Sequence, residues 1–179
     1  ERFIHWPSSM KYNKLMVKQF DFTTDNSVIV LLNLESSKPY WQNVDEESVE
    51  KAIVVTRSVM EEFEESKIPY GFASNAYNTS TRYSKGFYFH PGLGPNQLYK
   101  FLEILGSVNY VISSSFEESL NHMARLHGSY TTVVIVTPKI LDPYIDPINL
   151  LSKLVTKTVV ISMEEKNLER LNSKILKYK

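Results

Sequence analysis

Three groups of side chains have residue types that could carry catalysis. Residues 61–65 hold four glutamates, His122 and His127 lie five residues apart, and residues 113–115 are all serine. Paired carboxylates need a dry pocket that separates their pKa values, and a nucleophilic serine needs a glycine-flanked turn. The glutamates follow a solvated helix face, the histidines fall on different helix faces, and the serines lack those glycines. We therefore expect the carboxylates to lie in solvent, the histidines to lie at the surface and Ser115 to be the N-cap of a helix. We do not expect this chain to be an enzyme.

A glycine-rich turn and the end of a strand are two candidate binding sites. Gly92-Leu93-Gly94 precedes a predicted helix, where free N–H groups could hold an anion, but the incomplete glycine pattern favours a plain turn. Residues 27–34 are apolar on both faces, which is typical of a central parallel strand covered by helices. Ligands bind at the carboxyl ends of such strands, so we expect a binding crevice at the loop that begins at Asn33.

The composition excludes several classes of protein. The 179 residues fit one domain with a full-sized core. Lys and Arg together number 20, and Asp and Glu together also number 20. The chain therefore lacks the net positive charge expected of a nucleic-acid binder. The absence of cysteine excludes disulfides, thiolate zinc sites and cysteine nucleophiles, and the apolar runs are shorter than the roughly 20 residues of a membrane span. Because the chain begins at Glu1 rather than Met, we expect a segment of a longer protein.

The hydrophobic periodicity changes along the chain in the order expected of an α/β domain. Apolar residues from Val49 to Phe63 recur at intervals of three and four, which predicts a long helix with Asp45 as its N-cap. Further helices are predicted at about 95–105, 115–127 and 147–155, and strands at 70–76, 84–90, 131–137 and 157–162. This alternation predicts an α/β layer sandwich with a mostly parallel sheet. We expect an N-terminal β arm (1–26), an α/β domain (27–163) and a C-terminal helical tail (164–179).

Three stretches of the chain resemble one protein family. Arg2-x-Ile4-His5-Trp6-x-x-Ser9 is followed by Leu15-Met16-Val17-Lys18-Gln19-Phe20 and then by a strand that ends Leu31-Leu32-Asn33. This order resembles the bacterial and archaeal family called domain of unknown function 58, in which the third stretch ends in Asp. The resemblance implies a Rossmann-like von Willebrand factor A (VWA) three-layer sandwich with one antiparallel edge strand. The chain departs from the family at Met10-Lys11, where Ala-Arg is usual.

The resemblance also implies where a metal ion would bind. VWA domains often hold Mg²⁺ or Mn²⁺ through a D-x-S-x-S loop, with a Thr and an Asp from later loops, because hard cations take oxygen ligands. Here the loop reads Asn33-Leu34-Glu35-Ser36-Ser37, so the Asp is neutral and the first Ser is Glu. We expect a degenerate site without a cofactor, in which Asn33 and Ser37 bond the loop backbone and Glu35 lies in solvent. The alternative is a weakened Mg²⁺ or Mn²⁺ site at Glu35 and Ser37, completed by Asp142.

The favoured function is a non-enzymatic protein-interaction module. We expect a protein partner to dock on loops 33–41, 91–95 and 138–144. The predicted contact residues are Asn33, Glu35, Ser36, Ser37, Tyr40, Trp41, Pro138 and Asp142. The resemblance implies a MoxR-type AAA+ ATPase as the partner and a location on the cytoplasmic side of the cell membrane, with membrane segments before Glu1. A cation-dependent adhesion-type domain and a metal-assisted hydrolase are the alternatives.

Overall fold

A computed structural model of the chain describes residues 27–77 and 86–179. Within them, a six-stranded sheet has the order β3-β2-β1-β4-β5-β6. The strands are β1 (Val28–Leu32), β2 (Tyr70–Ser74), β3 (Phe87–Gly92), β4 (Thr132–Thr137), β5 (Lys157–Ser162) and β6 (Leu176–Tyr178). Neighbouring strands are parallel except β2 and β3, which are antiparallel. The predicted mostly parallel sheet with one antiparallel edge strand is confirmed.

Four α-helices of the described residues cover the two faces of this sheet. They are α1 (Glu46–Glu65), α2 (Pro95–Gly106), α3 (Phe116–Arg125) and α4 (Ile145–Leu154). Helices α1 and α2 share one apolar core with the sheet, and α3 and α4 share the other. Strand β1 serves both cores, because Val30 points into the first and Ile29 into the second. This two-sided burial agrees with the prediction for residues 27–34.

Helices α1 and α3 begin at their predicted N-caps. The Ser48 backbone N–H donates to Asp45 Oδ1 over 3.3 Å, and the Glu118 backbone N–H donates to Ser115 Oγ over 3.3 Å. Each acceptor satisfies an N–H group that has no partner inside its own helix. The two helices are thereby held at their first turns, which lie next to the site described below.

One predicted docking loop lies at the opposite end of the sheet from the other two. We call the end at which β1, β2, β4 and β5 finish the carboxyl edge, and the other end the amino edge. Gly92 pairs with Tyr70, the first residue of β2, because β3 runs antiparallel to β2. Loop 91–95 therefore lies at the amino edge, while loops 33–41 and 138–144 follow β1 and β4 at the carboxyl edge. The prediction that all three loops form one surface is wrong.

The C-terminal residues form a strand rather than the predicted helical tail. Residues 164–179 contain a 3₁₀ turn at Leu168–Arg170 and then β6, which pairs in parallel with β5. The apolar spacing of Leu168, Leu171 and Ile175 suited a helix, but all three are buried against the α3 and α4 side of the sheet. Pairing with β5 also satisfies backbone groups of β5 that an edge would leave open.

The predicted N-terminal β arm, residues 1–26, lies outside the described residues. Among the helices that the structure describes, none is long and apolar enough to cross a membrane.

Candidate functional site at the carboxyl edge

The amide of Asn33 ties three strand ends together at the carboxyl edge. Asn33 follows β1 and is fully buried. Its Oδ1 accepts hydrogen bonds from the Glu35 backbone N–H (2.8 Å) and from Asn75 Nδ2 (2.9 Å), which follows β2. Its Nδ2 donates to Thr137 Oγ1 (2.9 Å), at the end of β4, and to the Glu35 carbonyl (3.0 Å). All these bonds hold the start of the loop in one position, as expected for a neutral residue at this place.

The carboxylate of Glu35 is fully buried directly above this network. Its Oε2 accepts a hydrogen bond from the Phe116 backbone N–H over 2.7 Å, and Phe116 is the first residue of α3. Its Oε1 lies 2.8 Å from Lys38 Nζ. A helix N-terminus and an ammonium both stabilise a negative charge, and a carboxylate can be buried only with such partners. The expectation that Glu35 lies in solvent is therefore wrong.

Lys38 bridges two carboxylates. Its Nζ forms ion pairs with Glu35 and with Glu117, in the first turn of α3. The same Nζ lies 5.4 Å from the centre of the Tyr144 ring, within the range of a cation–π interaction. Burial lowers the pKa of Lys38, but the bonds to Glu117 and Glu35 outweigh it and raise the pKa above its ordinary value. The ammonium therefore keeps its charge at neutral pH.

Ser36 and Ser37 fasten the rest of the loop to its own backbone. Ser36 Oγ accepts from the Asp45 backbone N–H (2.8 Å) and donates to the Asn43 carbonyl (3.2 Å). Ser37 Oγ donates to the same carbonyl over 2.6 Å. The expectation that Asn33 and Ser37 bond the loop backbone agrees with these contacts. These bonds tie the start of the loop, at Ser36 and Ser37, to its end at Asn43 and Asp45, just before α1.

The oxygen atoms of this loop do not fit a Mg²⁺ or Mn²⁺ site. The Asn33 amide has its hydrogen-bond partners, Ser37 is turned towards Asn43, and Glu35 is paired with an ammonium. A divalent cation beside Glu35 would meet the positive charge of Lys38 at short range. Within residues 27–77 and 86–179, no group of three His, Asp or Glu side chains could hold a metal ion.

The predicted contact residues divide by exposure. Asn33, Glu35, Ser36 and Pro138 are buried. Asp142 is exposed, and its carboxylate is bonded to Arg170 and to Asn167 Nδ2 (3.3 Å). Trp41 is 69% exposed. Its ring meets the Tyr40 ring edge-on, with 5.0 Å between the ring centres. Trp41 is thus the predicted contact residue best placed to touch a partner.

The loop between α2 and α3 contributes to the same edge, and sequence reasoning missed it. The Ser113 backbone N–H donates to the Asn75 carbonyl over 2.9 Å, which brings this loop beside the end of β2. Tyr110 and Val111 are exposed on it, and the Tyr110 hydroxyl donates to Glu50 of α1 over 2.7 Å. This loop takes the place that loop 91–95 was expected to fill.

A cavity of about 620 Å³ opens at the carboxyl edge, between the end of β2 and α3. Its wall includes Ser74, Tyr88, Ser114, His122 and Arg125. Partial burial of the ring, with a smaller contribution from the charge of Arg125, lowers the pKa of His122 below its ordinary value. His122 and His127 are both exposed, as expected.

Comparison with known proteins identifies the fold. No family model and no curated protein matches the chain. Solved structures do, among them the SpRpn10 VWA domain, with 13% sequence identity, a TM-score of 0.52 and 86% of each chain covered. The chain has a VWA-like fold. An aerotolerance-related membrane protein from Bacteroides fragilis NCTC 9343 is similar at 14% identity and a TM-score of 0.48, over 76% of this chain and 67% of that one. The VWA-like part of the predicted resemblance is confirmed.

Proposed function

We propose that this VWA-like domain is a non-enzymatic protein-interaction module that docks its partner at the carboxyl edge without a bridging metal ion. The observation that carries the proposal is the pairing of Lys38 with Glu35. The resemblance implies that adhesion-type VWA domains bridge to their partner through a cation, which would be held by oxygen ligands of this loop. Here a side chain of the loop itself supplies the positive charge, and hydrogen bonds of Ser36 and Ser37 hold the loop to its own backbone.

Trp41 is the anchor of the proposed docking surface. Large aromatic side chains dominate the binding energy of protein interfaces, especially where they enter a pocket on the partner. A braced loop loses little conformational entropy on binding, because it is ordered beforehand. The bonds of Ser36 and Ser37 supply that bracing, and the Tyr40 ring supports Trp41 from one side.

The arrangement of charges at this edge does not favour catalysis. A general base must be within hydrogen-bond reach of a substrate proton and free to accept it. Glu35, the buried carboxylate of the site, already holds the Phe116 N–H and the Lys38 ammonium. Ser115 caps α3, so its hydroxyl is engaged at a helix end. The proposal therefore assigns these residues a structural role.

The family, partner class and location follow from the resemblance and form part of the proposal. The motifs at residues 2–9 and 15–20, together with a VWA-like fold, support membership of the domain of unknown function 58 family. Membership would place the parent protein at the cytoplasmic face of a bacterial membrane, with a MoxR-type AAA+ ATPase as its partner. Direct binding of a purified ATPase of this type tests the partner.

The binding experiment compares two exposed aromatic residues at different places. Trp41 is 69% exposed at the carboxyl edge, and Tyr99 is 73% exposed on α2. We expect calorimetric titration with the nucleotide-free ATPase to show at least tenfold weaker binding for Trp41→Ala and unchanged binding for Tyr99→Ala. EDTA should leave the affinity of the parent domain unchanged. Equal losses for both variants would contradict docking at this edge, and no binding at all would contradict the partner class.

The metal question has its own measurement. A cation that binds only the native state stabilises the protein by about 2.7 kcal/mol when its concentration is 100 times its dissociation constant. For a domain of this size, that stabilisation raises the melting temperature by several degrees. We expect the melting temperature to be the same in EDTA and in millimolar Mg²⁺ or Mn²⁺. An increase of several degrees that Ser37→Ala abolishes would contradict the proposal and support the adhesion-type alternative.

A further inference from the structure

The cavity between β2 and α3 has two opposite charges in its wall that no described residue neutralises. Its volume of about 620 Å³ lies in the range of roughly 300–1,000 Å³ that is usual for small-molecule sites. Glu118 and Arg125 both line it. Neither side chain forms an ion pair with another residue of the described ranges. Trp41 is not part of this wall, so the cavity is separate from the proposed docking surface.

The two charges stand two helical turns apart on one face of α3. Glu118 lies in the first turn of α3, and Arg125 is its last residue. Together with His122, which also lines the cavity, they follow the i, i+4, i+7 spacing of a single helix face. Seven residues at roughly 1.5 Å each separate Glu118 from Arg125 by roughly 10 Å along the helix axis. This face therefore offers a negative charge near the carboxyl edge and a positive charge roughly 10 Å away.

Two buried hydroxyl groups in the wall have protons to donate. Ser114 is only 2% exposed, and its hydroxyl forms no hydrogen bond with another described residue. Ser74 is also buried, and its Oγ accepts from the Ala76 backbone N–H over 3.0 Å, which leaves its own proton without an acceptor in the described ranges. Buried polar groups are normally hydrogen-bonded. These two hydroxyls therefore suit carbonyl oxygens of a ligand.

The remaining wall of the cavity is apolar and aromatic. Leu31, Ala73 and Met123 line it, and all three are buried in the core on the α3 and α4 side. The Tyr88 ring also lines it and meets the His122 ring edge-on, with 6.2 Å between the ring centres. Apolar and aromatic walls with a few placed polar groups are typical of sites that bind small organic molecules. This wall suits an apolar side chain.

From this combination we infer that the cavity binds a short peptide with free ends, about three residues long, which lies along α3. Three extended residues span roughly 10 Å, which matches the separation of Glu118 and Arg125. The ammonium of the peptide pairs with Glu118, and its carboxylate pairs with Arg125, whose planar guanidinium fits a carboxylate through two parallel hydrogen bonds. Ser74 and Ser114 donate to its carbonyl oxygens, and an apolar central side chain packs against Met123.

The two charged ends of the peptide are tested with Ala-Leu-Ala. We expect calorimetric titration of the full chain to show binding of this tripeptide, and at least tenfold weaker binding of its N-acetylated and its C-amidated forms. Arg125→Gln should remove the preference for the free carboxylate over the amide, and Glu118→Gln the preference for the free amine over the acetylated form. Arg57→Gln on α1 and Glu103→Gln on α2 replace exposed charges outside the cavity and should leave both preferences unchanged.

The carbonyl contacts are tested with ω-aminooctanoate, which carries both charges but no peptide group. We expect Ser114→Ala to weaken the binding of Ala-Leu-Ala at least threefold and to leave the binding of ω-aminooctanoate unchanged. The inference would be overturned if the parent chain did not bind Ala-Leu-Ala, bound its free and blocked forms equally, or bound ω-aminooctanoate as tightly. An equal loss for the acid and the amide in Arg125→Gln would also overturn it, because Arg125 would then act on the fold and not on the carboxylate.

Discussion

Lys38 Nζ lies 2.8 Å from Oε1 of Glu35, and the Glu35 side chain is fully buried while about a third of the Lys38 side chain reaches solvent. The two residues are three positions apart in the loop after β1. In the VWA pattern that the loop resembles, the position of Glu35 holds a small serine. The longer carboxylate is accommodated because the loop itself carries a counter-charge and because α3 begins against its other oxygen. The ammonium of Lys38 thus places a positive charge within the loop itself.

The first prediction concerns the coupling of this pair. Removing one partner of a buried ion pair costs about 3–5 kcal/mol, and we expect about 2 kcal/mol for Lys38→Met because Lys38 is partly solvated. Glu35→Gln keeps an acceptor for the Phe116 N–H and should cost less. Urea unfolding of both single variants and the double variant measures the coupling, which we expect to be about 1–2 kcal/mol. Strictly additive losses would show that the two charges do not stabilise each other.

The second prediction concerns buried tyrosine hydroxyls in alkali. Burial, and after it the charge of Glu35, raises the pKa of Tyr144, and burial also raises the pKa of Tyr130. Above about pH 10 the unfolded chain loses these protons while the native state keeps them. The free energy of unfolding must therefore fall as pH rises, by up to about 1.4 kcal/mol per pH unit for each group. Tyr144→Phe and Tyr130→Phe should each make this fall less steep.

The same two variants should differ at neutral pH. The Tyr144 hydroxyl is buried without a hydrogen-bond partner of good geometry among the described residues, whereas the Tyr130 hydroxyl donates to the Met123 carbonyl over 2.7 Å. We expect Tyr144→Phe to change the free energy of unfolding little at pH 7, and Tyr130→Phe to lower it by about 1 kcal/mol. A larger loss for Tyr144→Phe would mean that its hydroxyl makes a hydrogen bond to Glu35 or Asn33.

The third prediction uses the N-cap of α1. Hydrogen bonds from the Ser48 hydroxyl and backbone N–H lower the pKa of Asp45. This contribution to stability is present above the ordinary Asp pKa of about 3.9 and is lost as pH falls through the lower native value. At pH 7 we expect Asp45→Ala to lose about 1 kcal/mol, and Asp45→Asn to lose a few tenths of a kcal/mol. Thermal unfolding from pH 7 to pH 2 should show the parent chain losing its advantage over Asp45→Asn; a constant difference would contradict the assigned cause.

Local patterns predicted most of this fold, and long-range contacts decided the rest. The caps at Asp45 and Ser115 are local signals, because donor and acceptor are three residues apart. The burial of Glu35 depends on Phe116, 81 residues later, and no periodicity in the loop indicates it. The one available signal was Lys38, three residues after Glu35, since a lysine at that spacing can accompany a carboxylate into the interior.

The prediction of a helical tail at residues 164–179 was wrong for a similar reason. Leu168, Leu171 and Ile175 fit the spacing of a helix, and no local feature distinguishes that spacing from a short turn followed by a strand. The unpaired edge of β5 decided between them, because it supplies backbone partners that only the folded sheet contains. The position of loop 91–95 likewise depended on the direction of β3, which residue composition does not encode.

The last prediction compares two glycines in different surroundings. A Cβ atom at Gly71, in β2, would lie 2.3 Å from the Phe89 carbonyl oxygen and 2.7 Å from Ile29 Cδ1, while a Cβ at Gly106, at the end of α2, would meet nothing within 4 Å. Gly71→Ala must therefore push β3 away from β2, and we expect it to cost about 3 kcal/mol or more. Gly106→Ala should be neutral or stabilise by a few tenths of a kcal/mol. Urea unfolding checks both, and equal effects would show that β3 gives way at Gly71 without loss.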